Sequence, residues 1–152
     1  MMTRETDDAI HDSGSTIAQK KKSDMNNRLK MINQYPSAPL ISLHLNSFPQ
    51  DRSVTGAQVF YSKNQEGFGK LAQSTLIKVL KPAKERICKQ IPNSIFLMRN
   101  SKNPSILVEC GFLSNSEEAN LLNSADYQRK IAFSLCLCMI EYNHGQSITE
   151  ES

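Results

Sequence analysis

The stretch "PSILVECGFLSN", residues 104–115, constrains the fold more than any other part of the chain. Its unbroken apolar run, Ile106 to Val108, is typical of a strand buried on both faces, and such strands belong to sheets that helices cover on both sides. The run ends in Glu109. An ionised carboxylate without a partner is costly in such a place. We therefore expect that either a cation pairs with Glu109 or that it keeps a proton for a chemical task.

Helix and strand periods alternate along the rest of the chain. Ile41, Leu43 and Leu45 alternate with polar residues, which predicts a strand with one apolar face. Ser23 is typical of a helix N-cap, and the helix that it starts is predicted to end at the prolines of "YPSAP". Further helices are predicted over 66–80, 114–124 and 125–142, the second capped by Ser114 or Ser116, and further strands over 55–62, 93–100 and 104–110, with a strand stub at 1–3.

This order of elements predicts an α/β fold with a mostly parallel sheet and helices on both faces. The 152 residues suffice for a single domain with a real core. We expect that domain to span residues 1–142 and a polar, frayed tail to follow at 143–152.

Composition excludes several classes of function. The net charge is only +3, Trp is absent, and aromatic and basic residues are not interleaved, which argues against nucleic-acid binding. The four cysteines include no C-x-x-C pair, so neither a zinc knuckle nor a disulfide scaffold is indicated. The first residues lack the apolar stretch of a signal peptide, and no run reaches transmembrane length, so no export signal or membrane span is expected.

Two predicted strand ends carry chemically capable side chains, His44 and Glu109. Sites in open parallel sheets form where strands end, and an imidazole with a carboxylate suits zinc and its bound water. Other roles remain open: His44 as a hydrogen-bonded core residue, Glu109 as a cap for the next helix, and Cys110 as a thiol nucleophile paired with His44. The thiol route is disfavoured because residues 109 and 110 point to opposite faces of a strand. A glycosidase would need a second acid at a nearby strand end, and the sequence offers none.

Several segments, in one order, carry a family resemblance. They are "TRETD" at 3–7, "SLHLNS" at 42–47, "GAQVFY" at 56–61, "FLMR" at 96–99, "SILVECGFLSNSEEANLL" at 105–122 and the closing "YQRKIAFSLCLCMIEY". Together they resemble the zinc-dependent N-acetylmuramoyl-L-alanine amidases, and the match is nearest to the germination-specific, spore-cortex type. The resemblance runs from about residue 2 to residue 142.

The resemblance implies hydrolysis of the amide between N-acetylmuramic acid and L-alanine in peptidoglycan. It implies that His44 is a zinc ligand and Glu109 the catalytic carboxylate. Asn46 would orient the site or the substrate, and Arg99 would hold a peptide carboxylate. It also implies action in the cell envelope, outside the cytoplasm, a role in spore-cortex formation or germination, and an activating protein partner for some members.

The sequence departs from the family at its beginning. The family starts with a strand that runs into a His-Gly-Gly loop, and that His and a Glu on the next helix are the other two zinc ligands. Neither element is found in these 152 residues. We therefore expect the family's first strand and first helix to be missing, an apolar sheet edge to be uncovered, and the zinc site to be incomplete. The alternative function is an inactive peptidoglycan-binding domain or a remnant without a stable fold.

Overall fold

The computed structural model describes the backbone of residues 1–150 and the side chains of residues 1–145. Helices and strands alternate along this part of the chain, as the sequence periods predict. In chain order they are α1 (Ile17–Asn33), β1 (Leu40–Asn46), β2 (Gln58–Tyr61), α2 (Glu66–Leu80), β3 (Lys89–Gln90), α3 (Phe96–Asn100), β4 (Ser105–Phe112), α4 (Ser116–Leu122) and α5 (Ala125–Glu150).

The four strands form one sheet in the order β1-β4-β2-β3. The apolar run from Ile106 to Val108 lies in β4. This strand pairs in parallel with β1 and antiparallel with β2. β2 and β3 pair in parallel. The α/β class is confirmed, but the sheet is mixed, because β2 and β3 run opposite to β1 and β4. Periodicity assigns a strand its faces and carries no information on its direction.

One face of the sheet packs against α2 and α5. Val59, Ile106 and Val108 have no exposed surface there, and Leu76 of α2 and Cys138 of α5 are as deeply buried. Each fully buried aliphatic side chain of this size contributes about 1.5–3 kcal/mol to folding. This layer is the main core of the domain, and it fixes β4 in position.

On the opposite face, α3 packs against β4, and α1 packs against α3. Leu107 points away from its neighbour Val108 and is still only 4% exposed. Met98 of α3 is equally buried, and α3 packs against both β4 and α1. Helices therefore cover both faces, as the buried run at Ile106–Val108 predicts. No helix in the described part of the chain combines the length and the hydropathy needed to cross a membrane.

β1 forms one edge of the sheet, and no strand of the described residues pairs with its outer side. Its residues Leu43 and Leu45 are 59% and 52% exposed, although they lie on the same face as Val108. Long apolar edges are usually blunted or covered in soluble proteins. This exposed edge has the character that the departure from the family pattern led us to expect.

The helix predicted after Ser23 begins earlier, at Ile17. Thr16 is its N-cap and forms a capping box with Gln19, in which each side chain bonds the other residue's backbone N–H. Ser23 therefore lies inside the helix, where its hydroxyl donates to Asp12 Oδ1 at 2.7 Å. The prediction missed the first turns because their residues are polar and show no apolar stripe.

Four other predicted features also differ from the structure. Residues 1–3 form no strand, and the strand predicted over 93–100 is replaced by the short helix α3. The N-cap of α4 is Asn115, whose side chain accepts from the Glu118 N–H, in place of Ser114 or Ser116. The predicted tail is helical to Glu150, where α5 ends, and its last two residues lie outside the described part of the chain.

Candidate active site

Three side chains stand in one row across the sheet. Glu109 of β4 is the register partner of His44 on β1 and of Gln58 on β2. Paired residues on neighbouring strands lie about 5 Å apart and point to the same face. The row lies on the face opposite the main core, near the end of β4. The structure therefore brings together the two residues that the sequence singled out, and it adds Gln58.

One oxygen of the Glu109 carboxyl group is shielded from water. The residue is half-buried, and its Oε2 atom is fully enclosed without a hydrogen-bond partner among the described residues. Burial raises the pKa of Glu109 above its usual value, and the nearby His44 opposes part of that shift. A carboxylate with a raised pKa and a free oxygen is well suited to take and return a proton.

His44 lies at the exposed edge of the sheet. Its Nε2 is 3.0 Å from the hydroxyl of Ser42, the preceding residue on the same face of β1. This contact orients the ring beside Glu109 and leaves Nδ1 available to a further partner. His44 is exposed, which removes the alternative of a hydrogen-bonded core histidine.

A bulge follows Glu109 on β4. His44 pairs with Glu109, but Asn46, two residues on, pairs with Phe112, so β4 has one more residue than β1 in this interval. Gly111 lies in the bulge, where an added Cβ would approach Glu118 Oε2 to 3.3 Å. The extra residue returns Phe112 to the Glu109 face, which is how bulges often aim side chains beside a site.

Glu118 of α4 fastens the two chain segments that meet beside Glu109. Its Oε1 accepts from the Gly56 N–H and its Oε2 from the Phe112 N–H, each at 2.7 Å. Gly56 leads into Gln58, and Phe112 closes the bulge after Glu109. The buried carboxylate thus fixes the register of Gln58 against Glu109. The capping role that the sequence left open for Glu109 is taken here by Asn115, since its side chain caps α4.

Asn46 ends β1 next to His44 and is half-buried. Its Oδ1 accepts from the Ser47 N–H at 2.8 Å, and its backbone oxygen accepts from Leu113 at 2.8 Å. The side-chain oxygen is therefore engaged in its own turn. A role for Asn46 in orienting the substrate stays a prediction.

Arg99 lies away from this row. It is exposed on α3 and lines a depression of about 210 Å³ with Ser62 and Pro104, beside the first residues of β4. Glu109 is four residues further along β4 than Ser105, or about 13 Å at the rise of a strand. The structure does not bring Arg99 to the row, and its assigned contact with a peptide carboxylate stays an untested prediction.

Sequence reasoning missed Gln58 and Glu118. Gln58 is 7% exposed, and its amide donates to the Ile87 carbonyl at 2.9 Å. It lies within the quoted "GAQVFY" segment, where its alternation with buried Val59 was the available signal. In the sequence Glu118 is a favourable charge in the first turn of a helix, and nothing in the local sequence indicates its contact with Gly56, 62 residues away.

The residues present do not by themselves fit a zinc site. The enclosed, unpartnered Glu109 Oε2 beside an imidazole is consistent with a nearby cation. However, catalytic zinc takes three protein ligands, and the described residues contain no group of three His, Cys, Asp or Glu side chains able to hold a metal ion.

The cysteines show graded accessibility, which tests the thiol alternative. Cys110 is buried on the core face, and burial raises its pKa to about 11, as it does for Cys138. Cys136 is exposed and Cys88 half-buried. At pH 8 we expect a thiol reagent such as DTNB to modify Cys136 first, Cys88 more slowly, and the other two only after unfolding. Modification of Cys110 as fast as Cys136 would restore the thiol route.

Solved structures define the class of fold. An N-acetylmuramoyl-L-alanine amidase from Clostridium difficile 630 superposes with a TM-score of 0.72, at 24% identity, over 79% of this chain and 65% of that one. The CwlD amidase from Clostridioides difficile, solved in complex with the GerS lipoprotein, superposes with a TM-score of 0.87, at 32% identity, over 95% of this chain and 75% of that one. The fold is thus the α/β fold of amidase domains.

The sequence comparisons give the family. Residues 1–140 match the model of the N-acetylmuramoyl-L-alanine amidase family, and the chain belongs to this family. It is 34% identical over 152 residues to the germination-specific N-acetylmuramoyl-L-alanine amidase of Bacillus subtilis (strain 168). That match covers 93% of this chain and 60% of the Bacillus protein, so the chain spans less than two thirds of that relative.

Proposed function

We propose that this chain carries the catalytic carboxylate of an N-acetylmuramoyl-L-alanine amidase, which hydrolyses the amide between N-acetylmuramic acid and the L-alanine of peptidoglycan. The observation that carries the proposal is Glu109: an enclosed carboxylate with a raised pKa and a free Oε2, beside His44 on a family-matched strand. Membership of the amidase family supports the choice of bond.

Glu109 supplies the proton transfers of this reaction. As the general base it takes a proton from the water that attacks the amide carbonyl, and it then passes the proton to the nitrogen of the leaving L-alanine. Burial serves both steps, since a raised pKa brings the carboxyl group closer to the range where it can accept a proton and release it again.

The proposed role of His44 is that of a zinc ligand, as the family resemblance implies. Since the described residues hold no complete ligand set, zinc binding would need further ligands beyond these. Asn46, next along β1, is proposed to orient the bound substrate through its amide nitrogen, because its oxygen is already engaged.

The biological setting is proposed from the relatives. The Bacillus protein is named germination-specific, which supports a role in spore-cortex formation or germination and an extracytoplasmic place of action. The Clostridioides difficile amidase was solved with a lipoprotein, which supports a protein partner for this chain too.

A peptidoglycan-binding domain without turnover is the second candidate. The two zinc ligands that the described residues do not supply favour it, because a domain with an incomplete metal site can bind the substrate without hydrolysing it. Both an amidase and a binding domain would bind peptidoglycan fragments, but only the amidase would release N-acetylmuramic acid from them.

Product analysis separates the two. The purified chain is incubated, with and without added zinc, with N-acetylmuramoyl-L-alanyl peptide, and free N-acetylmuramic acid is detected by mass spectrometry. We expect release that falls to background in His44→Ala and persists in His11→Ala, since His11 is an exposed histidine outside the row. Binding of the ligand by the folded chain without any release would favour the second candidate.

A further inference from the structure

Arg86 lies against the ring of Phe112. Its guanidinium carbon is 5.0 Å from the ring centroid, a cation–π arrangement. Phe112 is 4% exposed, and the Arg86 stem also lies under Gly56, where an added Cβ would come within 3.2 Å of Cγ. The guanidinium is thus held in a defined place by an aromatic ring and by a turn without a side chain.

Within the described part of the chain, no side chain or backbone group accepts a hydrogen bond from this cation. Its Nε atom is enclosed and lacks a hydrogen-bond partner among the described residues, and no carboxylate there forms an ion pair with it. Among the described residues no ion pair joins Arg86 to Glu109 either. A positioned guanidinium without an anion is prepared for one that arrives from outside.

Two contacts place Arg86 beside the row of Glu109. The bulge turns Phe112, on which Arg86 rests, to the Glu109 face. Ile87, the residue after Arg86, accepts a hydrogen bond through its carbonyl from the Gln58 amide. Gln58 is the register partner of Glu109. Lys84 and Lys89 flank Arg86 against a single acid, Glu85, so the segment is positive.

We propose that Arg86, held on Phe112, binds a carboxylate of the peptide part of the substrate and so positions the amide at Glu109. This inference rests on the proposed function, and it assigns Arg86 as the residue that binds the charged peptide end of the substrate. A guanidinium takes a carboxylate through two parallel hydrogen bonds, which fixes orientation as well as distance. It assigns to Arg86 the contact that the sequence had suggested for Arg99.

Arg99 provides a matched control, because it is also an arginine but lies beside the other end of β4. The test uses two N-acetylmuramoyl-L-alanyl peptides, one ending in a carboxylate and the other in a carboxamide. Their affinities are measured by calorimetry at pH 7, in the Glu109→Gln background so that the ligand is not hydrolysed. Thermal melts confirm that each variant is folded.

We expect the carboxylate ligand to bind about tenfold or more tightly than the carboxamide. Arg86→Met should remove this preference, Arg86→Lys should retain part of it, and Arg99→Met should leave it unchanged. A preference that survives Arg86→Met, or that disappears in Arg99→Met, overturns the assignment while the proposed function stands. If the folded chain binds neither ligand, the proposed function fails and the inference fails with it.

Discussion

Replacing Glu109 by Gln is expected to lower amidase turnover by about 10²–10⁴-fold, the usual contribution of a positioned general base. The substitution keeps the shape of the side chain and removes its capacity to take a proton from water. Substrate affinity should change little, because the proton is transferred in the transition state and not on binding. The measurement is the rate of N-acetylmuramic acid release at saturating substrate.

The same substitution should stabilise the fold at neutral pH. Burial raises the folded-state pKa of Glu109 above the value of 4.5 typical of an exposed group. The folded state therefore binds the proton more tightly than the unfolded state. The stabilisation that this tighter proton binding gives the folded state is complete below about pH 4.5 and is lost as the pH rises through the folded-state pKa of Glu109. The glutamine side chain of the Glu109→Gln variant does not ionise, so the variant does not lose this stabilisation. Urea denaturation should therefore show that its free energy of unfolding increases relative to the wild type as the pH rises from about 4.5 through the folded-state pKa of Glu109.

Glu117→Gln is the matched control, since Glu117 is an exposed acid on the next helix. It should leave the turnover unchanged. Full turnover in Glu109→Gln would remove Glu109 from the mechanism, and a parallel pH dependence in both proteins would show that its carboxyl group is not desolvated.

Glu118→Ala should destabilise the fold by about 3–5 kcal/mol. Both carboxylate oxygens accept buried backbone N–H groups at 2.7 Å, and a hydrogen bond to a charged group contributes about 1.5–3 kcal/mol. Removing the side chain leaves the Gly56 and Phe112 donors unpaired in the interior. The loss is a large part of the total stability of a domain of this size. Equilibrium urea denaturation measures it.

Glu118→Gln tests the cause of that loss. The amide keeps its length and one accepting oxygen, so about half of the destabilisation should remain. Glu117→Ala, one residue earlier on the same helix and exposed, should stay within about 0.5 kcal/mol of the wild type. If Glu118→Ala matches Glu117→Ala, the two contacts do not hold the segments around Glu109.

The sequence carried enough information to locate β4 and the face on which Glu109 lies. Three apolar residues in a row indicate burial on both faces, and alternation on β1 brings His44 to the matching side. The family resemblance implies the roles of His44 and Glu109, and the structure adds that the two side chains are register partners. Both features depend on residues that are close together in the sequence, so local hydrophobic patterns suffice to predict them.

The features that sequence reasoning missed depend on contacts between distant residues. Arg86 meets Phe112 across 26 positions, and no periodicity indicates such a pair. The direction of β2 is equally invisible, because an antiparallel strand shows the same alternation as a parallel one. Arg99 was assigned to a strand because its short apolar neighbourhood does not distinguish a strand from a single helical turn.

The bulge at Gly111 divides β4 into two parts that can change independently. Before it, odd-numbered residues face the row and even-numbered residues face the core; after it, Phe112 faces the row. A substitution at Phe112 therefore changes the surface on which the Arg86 guanidinium packs, and Phe112 is not a residue of the main core. A substitution at Phe112 can thus change the surface beside the row while the packed half of the strand, and the placement of Glu109, stay as they are.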